Sequence, residues 1–255
     1  MRLLVSVRSA SEVDAALAGG ADIIDAKEPS AGALGAVALP AFREIRRDVR
    51  HDIPVSAALG DIVDAAEAEA ITRAYASAGA SFAKLGFSGT TDRSRVQQVI
   101  AAAVCGAEET HRFSSAASCA IVAVAYADAI CLGAIEPLAL LDCAVRAGAR
   151  GVLLDTALKH GPGLRDLITP SWLTAWVAQA HASALFAAIA GKLNEGDVSL
   201  ARDAGADIIG VRGSACDGGR LGVISSDKVR RFRHRMGDAE LERAEAAAHT
   251  VSGAS

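Results

Sequence analysis

The chain has 255 residues, of which 51% are hydrophobic and 22% charged, and its formal net charge is −4 at pH 7. This mixed, slightly acidic charge argues against nucleic acid as a partner. No apolar run reaches the roughly 18 residues of a membrane span, so we expect a cytoplasmic protein that does not cross a membrane. The five cysteines form no Cys-x-x-Cys pair and lack a histidine at metal-ligand spacing. We therefore predict no metal site and no cofactor.

Eight apolar segments of strand length alternate along the chain with amphipathic segments of helix length. The predicted strands are residues 3–7, 22–27, 53–59, 82–87, 119–126, 151–156, 185–190 and 207–212. The predicted helices are residues 13–17, 40–49, 63–77, 94–109, 137–146, 171–182, 198–203 and 225–235. Ser9 and Glu12 have the spacing of a capping box ahead of the first helix.

The order of these segments favours a (β/α)8 barrel. Residues 18–24 return in similar form as residues 203–209, and related Ala-Gly-Ala turns precede the fourth and sixth strands. Glycine in such turns supplies the left-handed conformation that ends a helix. An open doubly wound sheet is the alternative, but residues 8–11 lack its glycine-rich fingerprint. We predict one barrel domain over residues 1–237 and a helical extension with a frayed tail over residues 238–255.

Lysine is scarce in this chain, and its positions are informative. Of 26 lysines and arginines only five are lysines, and four of these lie in or just after predicted strands: Lys27, Lys84, Lys159 and Lys192. In a (β/α)8 barrel the carboxyl-terminal ends of the strands build the active site. Asp25 shares a strand face with Lys27, and Asp155 lies near the end of the sixth strand. We expect these side chains to meet at the barrel mouth.

Amines and carboxylates in such a cluster indicate imine chemistry. A partly desolvated lysine beside other ammonium groups loses its proton more easily and then attacks an aldehyde or ketone. Lys27 as nucleophile, Lys84 as proton carrier and Asp25 as orienting group form a coherent set, which Asp155 could join. The alternative is a pair of structural salt bridges, Lys27–Asp25 and Lys84–Asp155.

The loops after the seventh and eighth strands predict a phosphate site. Barrel enzymes often bind phosphate there through backbone N–H groups and a positive charge. The candidate residues are Gly191, Lys192, Arg212, Gly213 and Ser214. Small phosphorylated substrates are therefore the expected ligands.

Several motifs resemble the (5-formylfuran-3-yl)methyl phosphate synthase family. The first is Gly-Gly-Ala-Asp-Ile-Ile-Asp-Ala-Lys-Glu-Pro at residues 19–29, followed by Gly-Ala-Leu-Gly-Ala at residues 32–36. The resemblance continues through residues 56–61, 83–86, 125–129, 154–159 and 210–213, and covers residues 1 to about 235 in order. The chain departs from the family pattern at Ile130-Cys131 and after Gly237.

The resemblance implies an activity. Two glyceraldehyde 3-phosphate molecules would condense to 4-(hydroxymethyl)-2-furancarboxaldehyde phosphate, a precursor of methanofuran, with loss of phosphate and water. It also implies that Lys27 forms the Schiff base and Lys84 accepts the proton, with Asp25 and Lys159 in support. Two other functions remain open: a Schiff-base aldolase for a different sugar phosphate, and a non-catalytic barrel that serves binding or assembly. An exposed C-terminal helix would suit a homo-oligomer.

Overall fold

The computed structural model describes residues 1–112, 118–158 and 160–237. Eight parallel strands close into a barrel in sequence order, so that β1 pairs with both β2 and β8. The strands are β1 (Arg2–Val7), β2 (Ile23–Ala26), β3 (Val55–Asp61), β4 (Phe82–Gly86), β5 (Ala120–Tyr126), β6 (Gly151–Asp155), β7 (Phe186–Ile189) and β8 (Ile208–Val211). The predicted (β/α)8 fold is confirmed.

Helices cover the outside of the barrel. They are α1 (Val13–Ala18), α2 (Leu39–Asp48), α3 (Ala65–Ser77), α4 (Arg93–Arg112), α5 (Ala129–Leu132), α6 (Pro137–Arg146), α7 (Leu164–Leu167), α8 (Pro170–Ala182), α9 (Val198–Asp203) and α10 (residues 226–237). The short helices α5 and α7 lie in the loops after β5 and β6 and are absent from the predicted helices. The extension expected over residues 238–255 lies outside the described residues.

The strands have two buried faces. Alternate residues point outward and pack with the helices, as Ile24 does, or inward, as Ile23 does. Because Asp25 and Lys27 follow Ile23 at two-residue intervals, both side chains lie inside the barrel. The strand pattern thus places a carboxylate and an amine in a largely apolar interior.

Glycines end the helices that precede β2, β4, β6 and β8, as predicted. Gly20, Gly79, Gly148 and Gly205 have φ angles of 96°, 94°, 80° and 81°. This left-handed conformation costs glycine little, because it has no Cβ atom. Each of these four strands therefore begins directly after a short, defined turn.

The predicted capping box is wrong. The Ser9 side chain caps no helix and lies 2.9 Å from the Ser11 hydroxyl. Glu12 is buried, and its carboxylate accepts the backbone N–H of Arg8 at 2.8 Å. The Glu12 carboxylate also pairs with the guanidinium of Arg212, which directly follows β8 and is too distant in the sequence for a local motif to reveal.

Within the described residues, no helix has both the length and the apolar character that crossing a bilayer requires.

Candidate active site

A buried ion pair lies inside the barrel between β2 and β4. The Lys84 ammonium is 2.6 Å from one oxygen of Asp25, and the Ser6 hydroxyl donates to the other at 2.8 Å. Asp25 is fully buried. Burial alone would raise its pKa, but the positive charges of Lys84 and Lys27 outweigh this effect and hold the pKa below its ordinary value of 3.8. Asp25 is therefore a carboxylate at neutral pH.

Lys27 lies at the barrel mouth with a looser partner. Its ammonium is 3.9 Å from Asp155, whose other oxygen accepts the Thr156 N–H at 2.7 Å. Burial lowers the pKa of Lys27 from its ordinary 10.5; Asp155 and Asp25 oppose the shift, while Lys84 and Arg220 add to it. A larger fraction of Lys27 is thus the neutral, nucleophilic amine.

The ion pairs differ from those of the structural alternative, which joined Lys27 to Asp25 and Lys84 to Asp155. The side chain of Lys84 instead reaches Asp25, two residues before Lys27 on β2, and Lys27 faces Asp155 across the mouth. The two lysines are consequently unequal. Lys84 makes a close ion pair, whereas the amine of Lys27 lies beyond hydrogen-bond distance of its nearest carboxylate.

One cavity of about 270 Å³ connects the predicted residues. It is lined by nine of them: Asp25, Lys27, Lys84, Asp155, Gly191, Lys192, Arg212, Gly213 and Ser214. Lys159, the tenth, lies outside the described residues. The imine cluster and the phosphate candidates therefore belong to a single site at the carboxyl-terminal end of the barrel.

Arg212 lines the cavity, but its guanidinium is used by the protein itself. It forms a two-point contact with Glu12, at 2.9 and 3.2 Å, and donates to the backbone oxygens of Ser6, Arg220 and Gly222. These bonds use all five N–H groups that an arginine offers. The geometry therefore does not support Arg212 as a phosphate ligand, and gives it the task of joining β8 to β1.

Arg220 is a cavity residue that the sequence analysis missed. It lies in the loop after β8, where a short hairpin is formed by β9 (Cys216–Asp217) and β10 (Val223–Ile224). Its Nε and one terminal nitrogen donate to the backbone oxygens of Pro29 and Gly32 in the loop after β2. The second terminal nitrogen donates to no acceptor of the described residues. Because a long loop separates Arg220 from its strand, strand position gave no signal for it.

The loop after β7 has an uncommon backbone. Gly191 and Lys192 are both left-handed, with φ angles of 106° and 58°. For lysine this conformation costs about 1 kcal/mol or more. The Lys192 ammonium donates to the Gly161 oxygen, and the Ser214 hydroxyl donates to the Leu193 oxygen at 2.6 Å. These contacts fix the loops after β6, β7 and β8 relative to one another.

A group of potential metal ligands lies away from the cavity and was not predicted. One ligand atom each from Glu69, Cys105 and Glu109, on α3 and α4, lies within 4.8 Å of the others. The guanidinium of Arg73 contacts both carboxylates, at 2.6 Å in the case of Glu109. An arginine in this position neutralises the charge that would attract a cation, so the group is an ion-pair network between two helices.

The fold and the site together define a (β/α)8-barrel protein with amines and carboxylates around one cavity at its mouth. The family model described as 4-HFC-P synthase matches residues 3–233, and the chain belongs to this family. A protein of Kitasatospora aureofaciens is 39% identical over 92% of this chain and 94% of its own length. The (5-formylfuran-3-yl)methyl phosphate synthase of Methanopyrus kandleri is 36% identical over 92% of this chain and 98% of its own length.

Solved structures show the same fold in more distant proteins. The 3-hexulose-6-phosphate synthase of Salmonella typhimurium has a TM-score of 0.65 and 16% identity, and covers 93% of this chain and 99% of its own. The phosphoribosyl anthranilate isomerase of Thermus thermophilus has a TM-score of 0.63 and 15% identity, over 94% and 100% of the two chains. At these identities the likeness concerns the barrel alone.

The buried pair of Glu12 and Arg212 is expected to be required for stability. Glu12→Ala leaves the guanidinium buried without its carboxylate, and should lower the free energy of unfolding by about 3–5 kcal/mol. Glu12→Gln keeps an oxygen acceptor and should lose less. Urea unfolding followed by circular dichroism measures both. An unchanged midpoint for Glu12→Ala would show that Arg212 does not depend on this partner.

The reactivity of Lys27 is expected to depend on Asp155. The neutral amine appears as pH rises through the folded-state pKa, which burial places below 10.5. Asp155→Asn removes a negative charge that raises this pKa, so the midpoint of Lys27 acylation should move to lower pH. Peptide mass spectrometry after brief treatment with acetic anhydride gives the profile. Lys228, which pairs with Asp217 instead, is the internal control. A midpoint unchanged or moved upward would contradict the assignment.

Proposed function

We propose that this chain is a lyase that condenses two glyceraldehyde 3-phosphate molecules into 4-(hydroxymethyl)-2-furancarboxaldehyde phosphate, for the biosynthesis of a methanofuran-type cofactor. The balance of atoms requires the loss of one phosphate and two water molecules. The observation that carries the proposal is the buried amine of Lys27, 3.9 Å from Asp155 in the shared cavity. Membership of a family whose relatives are named for this phosphorylated furan supports it.

The first step is imine formation on Lys27. Its neutral amine attacks the aldehyde of one triose phosphate, and the resulting imine, once protonated, draws electrons from the neighbouring carbon. That carbon then loses a proton and attacks the aldehyde of the second triose phosphate. Phosphate and water leave as the ring closes, and hydrolysis frees Lys27.

Lys84 and Asp25 move the protons in this proposal. Their charged groups are 2.6 Å apart, which is within direct transfer distance, and both line the cavity. Ser6 holds the far oxygen of Asp25 and so fixes the direction of its near oxygen. Asp155 holds Lys27 at the mouth, and Lys159 keeps its expected supporting role.

The phosphate groups are proposed to bind at the mouth between the loops after β7 and β8. Gly191, Lys192, Gly213 and Ser214 line the cavity there. Arg220 replaces Arg212 as the arginine of this site, because one of its terminal nitrogens remains available for an anion. Arg220 and Lys27 line the same cavity, and the positive charge of Arg220 contributes to the lowered pKa of Lys27. The enzyme is proposed to act in the cytoplasm without a cofactor.

Borohydride trapping tests the imine. With glyceraldehyde 3-phosphate as the sole substrate, the wild type should form a covalent adduct on Lys27, absorb as a furan and release phosphate. Lys27→Arg keeps the positive charge and should form no adduct. Lys84→Gln should still form the adduct, while turnover falls about 10²–10⁴-fold because proton transfer is lost.

Two results would contradict the proposal. An adduct without furan absorbance or phosphate release would indicate a Schiff-base aldolase for another sugar phosphate. A wild type without an adduct, together with unchanged properties of Lys27→Ala, would indicate a non-catalytic barrel.

Arg220 is expected to bind phosphate. Arg220→Gln removes charge-assisted hydrogen bonds worth about 1.5–3 kcal/mol, so inhibition by inorganic phosphate should weaken roughly 10- to 150-fold. Arg231→Gln is the control, since Arg231 pairs with Glu195 and lines no part of the cavity. If Arg220→Gln lowered the melting temperature but left phosphate inhibition unchanged, Arg220 would only join the two loops.

A further inference from the structure

The cavity continues below the lysines into the interior of the barrel. We call this part the lower chamber; it is lined by the apolar side chains of Leu4, Val122, Leu153, Ala188 and Ile208. A barrel interior is normally filled by three layers of large branched side chains. Open space at this depth is therefore a departure from the usual packing.

Small residues on β7 and β8 create the space. The inward positions there carry Ala188, which pairs with Ile208 in the strand register, Ala190, which directly follows β7, and Gly210. A Cβ atom on Gly210 would lie 3.4 Å from the Cβ of Ala190 and 3.5 Å from a methyl group of Leu4, both ordinary contacts. The backbone would thus accept a larger residue, and its absence leaves the chamber open on this side.

Two aromatic rings close the chamber from below. Phe82 and Phe186, the first residues of β4 and β7, meet edge to face with ring centres 5.6 Å apart. The ring of Phe186 lies over Gly151, where a Cβ atom would stand 2.4 Å from it. The chamber therefore has an apolar floor, and its upper end leads to Lys27 at the mouth of the barrel.

A polar group on β3 also faces this space. Ser56 is fully buried and lines the cavity beside Asp25 in the register of β2 and β3. Its hydroxyl has no hydrogen-bond partner among the residues that the structure describes. A buried hydroxyl without a partner is costly, so this group is suited to a ligand that offers an oxygen.

We propose that the lower chamber binds the uncharged carbon skeleton of the reactant held by Lys27, a flat furan-sized ring, while its phosphate stays at the mouth. The identity of this ligand rests on the proposed function. An apolar chamber cannot take a phosphate without a large desolvation cost, whereas an uncharged five-membered ring avoids that cost and gives Ser56 an oxygen to contact. Exclusion of water below Lys27 also favours the loss of water that forms the ring.

The test uses furan-2-carbaldehyde, an uncharged aldehyde with this ring. Its aldehyde condenses with the amine of Lys27 and releases water, and borohydride then delivers a hydride to the imine carbon. In Ala188→Leu, three added carbon atoms fill the chamber, so the trapping rate should fall about tenfold or more. Glycolaldehyde is too short to reach the chamber and should be trapped equally by both proteins.

A smaller variant and a matched control complete the design. Gly210→Ala adds one methyl group to the chamber at ordinary contact distances and should reduce trapping of the ring aldehyde without lowering the melting temperature. Gly237→Ala makes the same change at a site where no atom of the described residues lies within 4 Å, and should behave as the wild type. If Ala188→Leu traps neither aldehyde and has a lower melting temperature, the substitution has damaged the fold. The result for Gly210→Ala then tests the role of the chamber.

The experiment distinguishes an error in the chamber proposal from an error in the proposal of an imine on Lys27. Equal trapping of furan-2-carbaldehyde by the wild type and both chamber variants would overturn the chamber's role. A wild type that traps neither aldehyde would contradict the imine instead. Furfuryl alcohol, which forms no imine, then tests the chamber alone: it should raise the melting temperature of the wild type but not of Ala188→Leu, and no rise in the wild type would overturn the inference.

Discussion

The ion pair between Asp25 and Lys84 is the constraint on which the rest of the site depends. Both charges lie inside a barrel whose other inward residues are mostly apolar, and removing one partner of such a pair costs about 3–5 kcal/mol. After burial and Asp155, the pair also contributes to the pKa of Lys27. Lys84 places a positive charge near the Lys27 amine, while Asp25 is already engaged by Lys84 and Ser6. Of the two amines, Lys27 is thus the less closely paired.

The basic residues around the cavity differ in how many of their N–H groups donate hydrogen bonds within the protein. Arg212 donates all five N–H groups within the protein and joins β8 to β1, whereas Arg220 keeps one nitrogen available at the cavity. Lys192 fixes the loop after β6, and Ser214 fixes the loop after β7. The loops at the mouth are therefore connected before any ligand binds, which reduces the ordering that binding requires.

Much of this arrangement follows from local sequence. Strands buried on both faces are continuous apolar runs, and glycine turns mark where β2, β4, β6 and β8 begin, so the eight strands were predicted to within one or two residues. The scarcity of lysine then drew attention to Lys27 and Lys84, and both line the cavity. The failures concern partners that are distant in sequence. The spacing of Ser9 and Glu12 predicted a capping box. The actual partner of Glu12 is Arg212, which lies 200 residues away and gives no local signal. Ala188 and Gly210 are ordinary strand residues until the barrel shows that they leave space inside it.

Phe82 and Phe186 pack together at the bottom of the cavity, at the end of the barrel opposite the mouth where Lys27 lies. Under the proposed chemistry, whatever occupies the bottom must enter first and leave last. The proposed phosphate site lies nearer the mouth than the lower chamber does, so released phosphate would depart through the mouth before the furan. High phosphate concentrations would then hold the finished ring in the enzyme. In that case the order in which the two products leave depends on the packing of the barrel floor, where the ring of Phe186 lies against Phe82 and over Gly151.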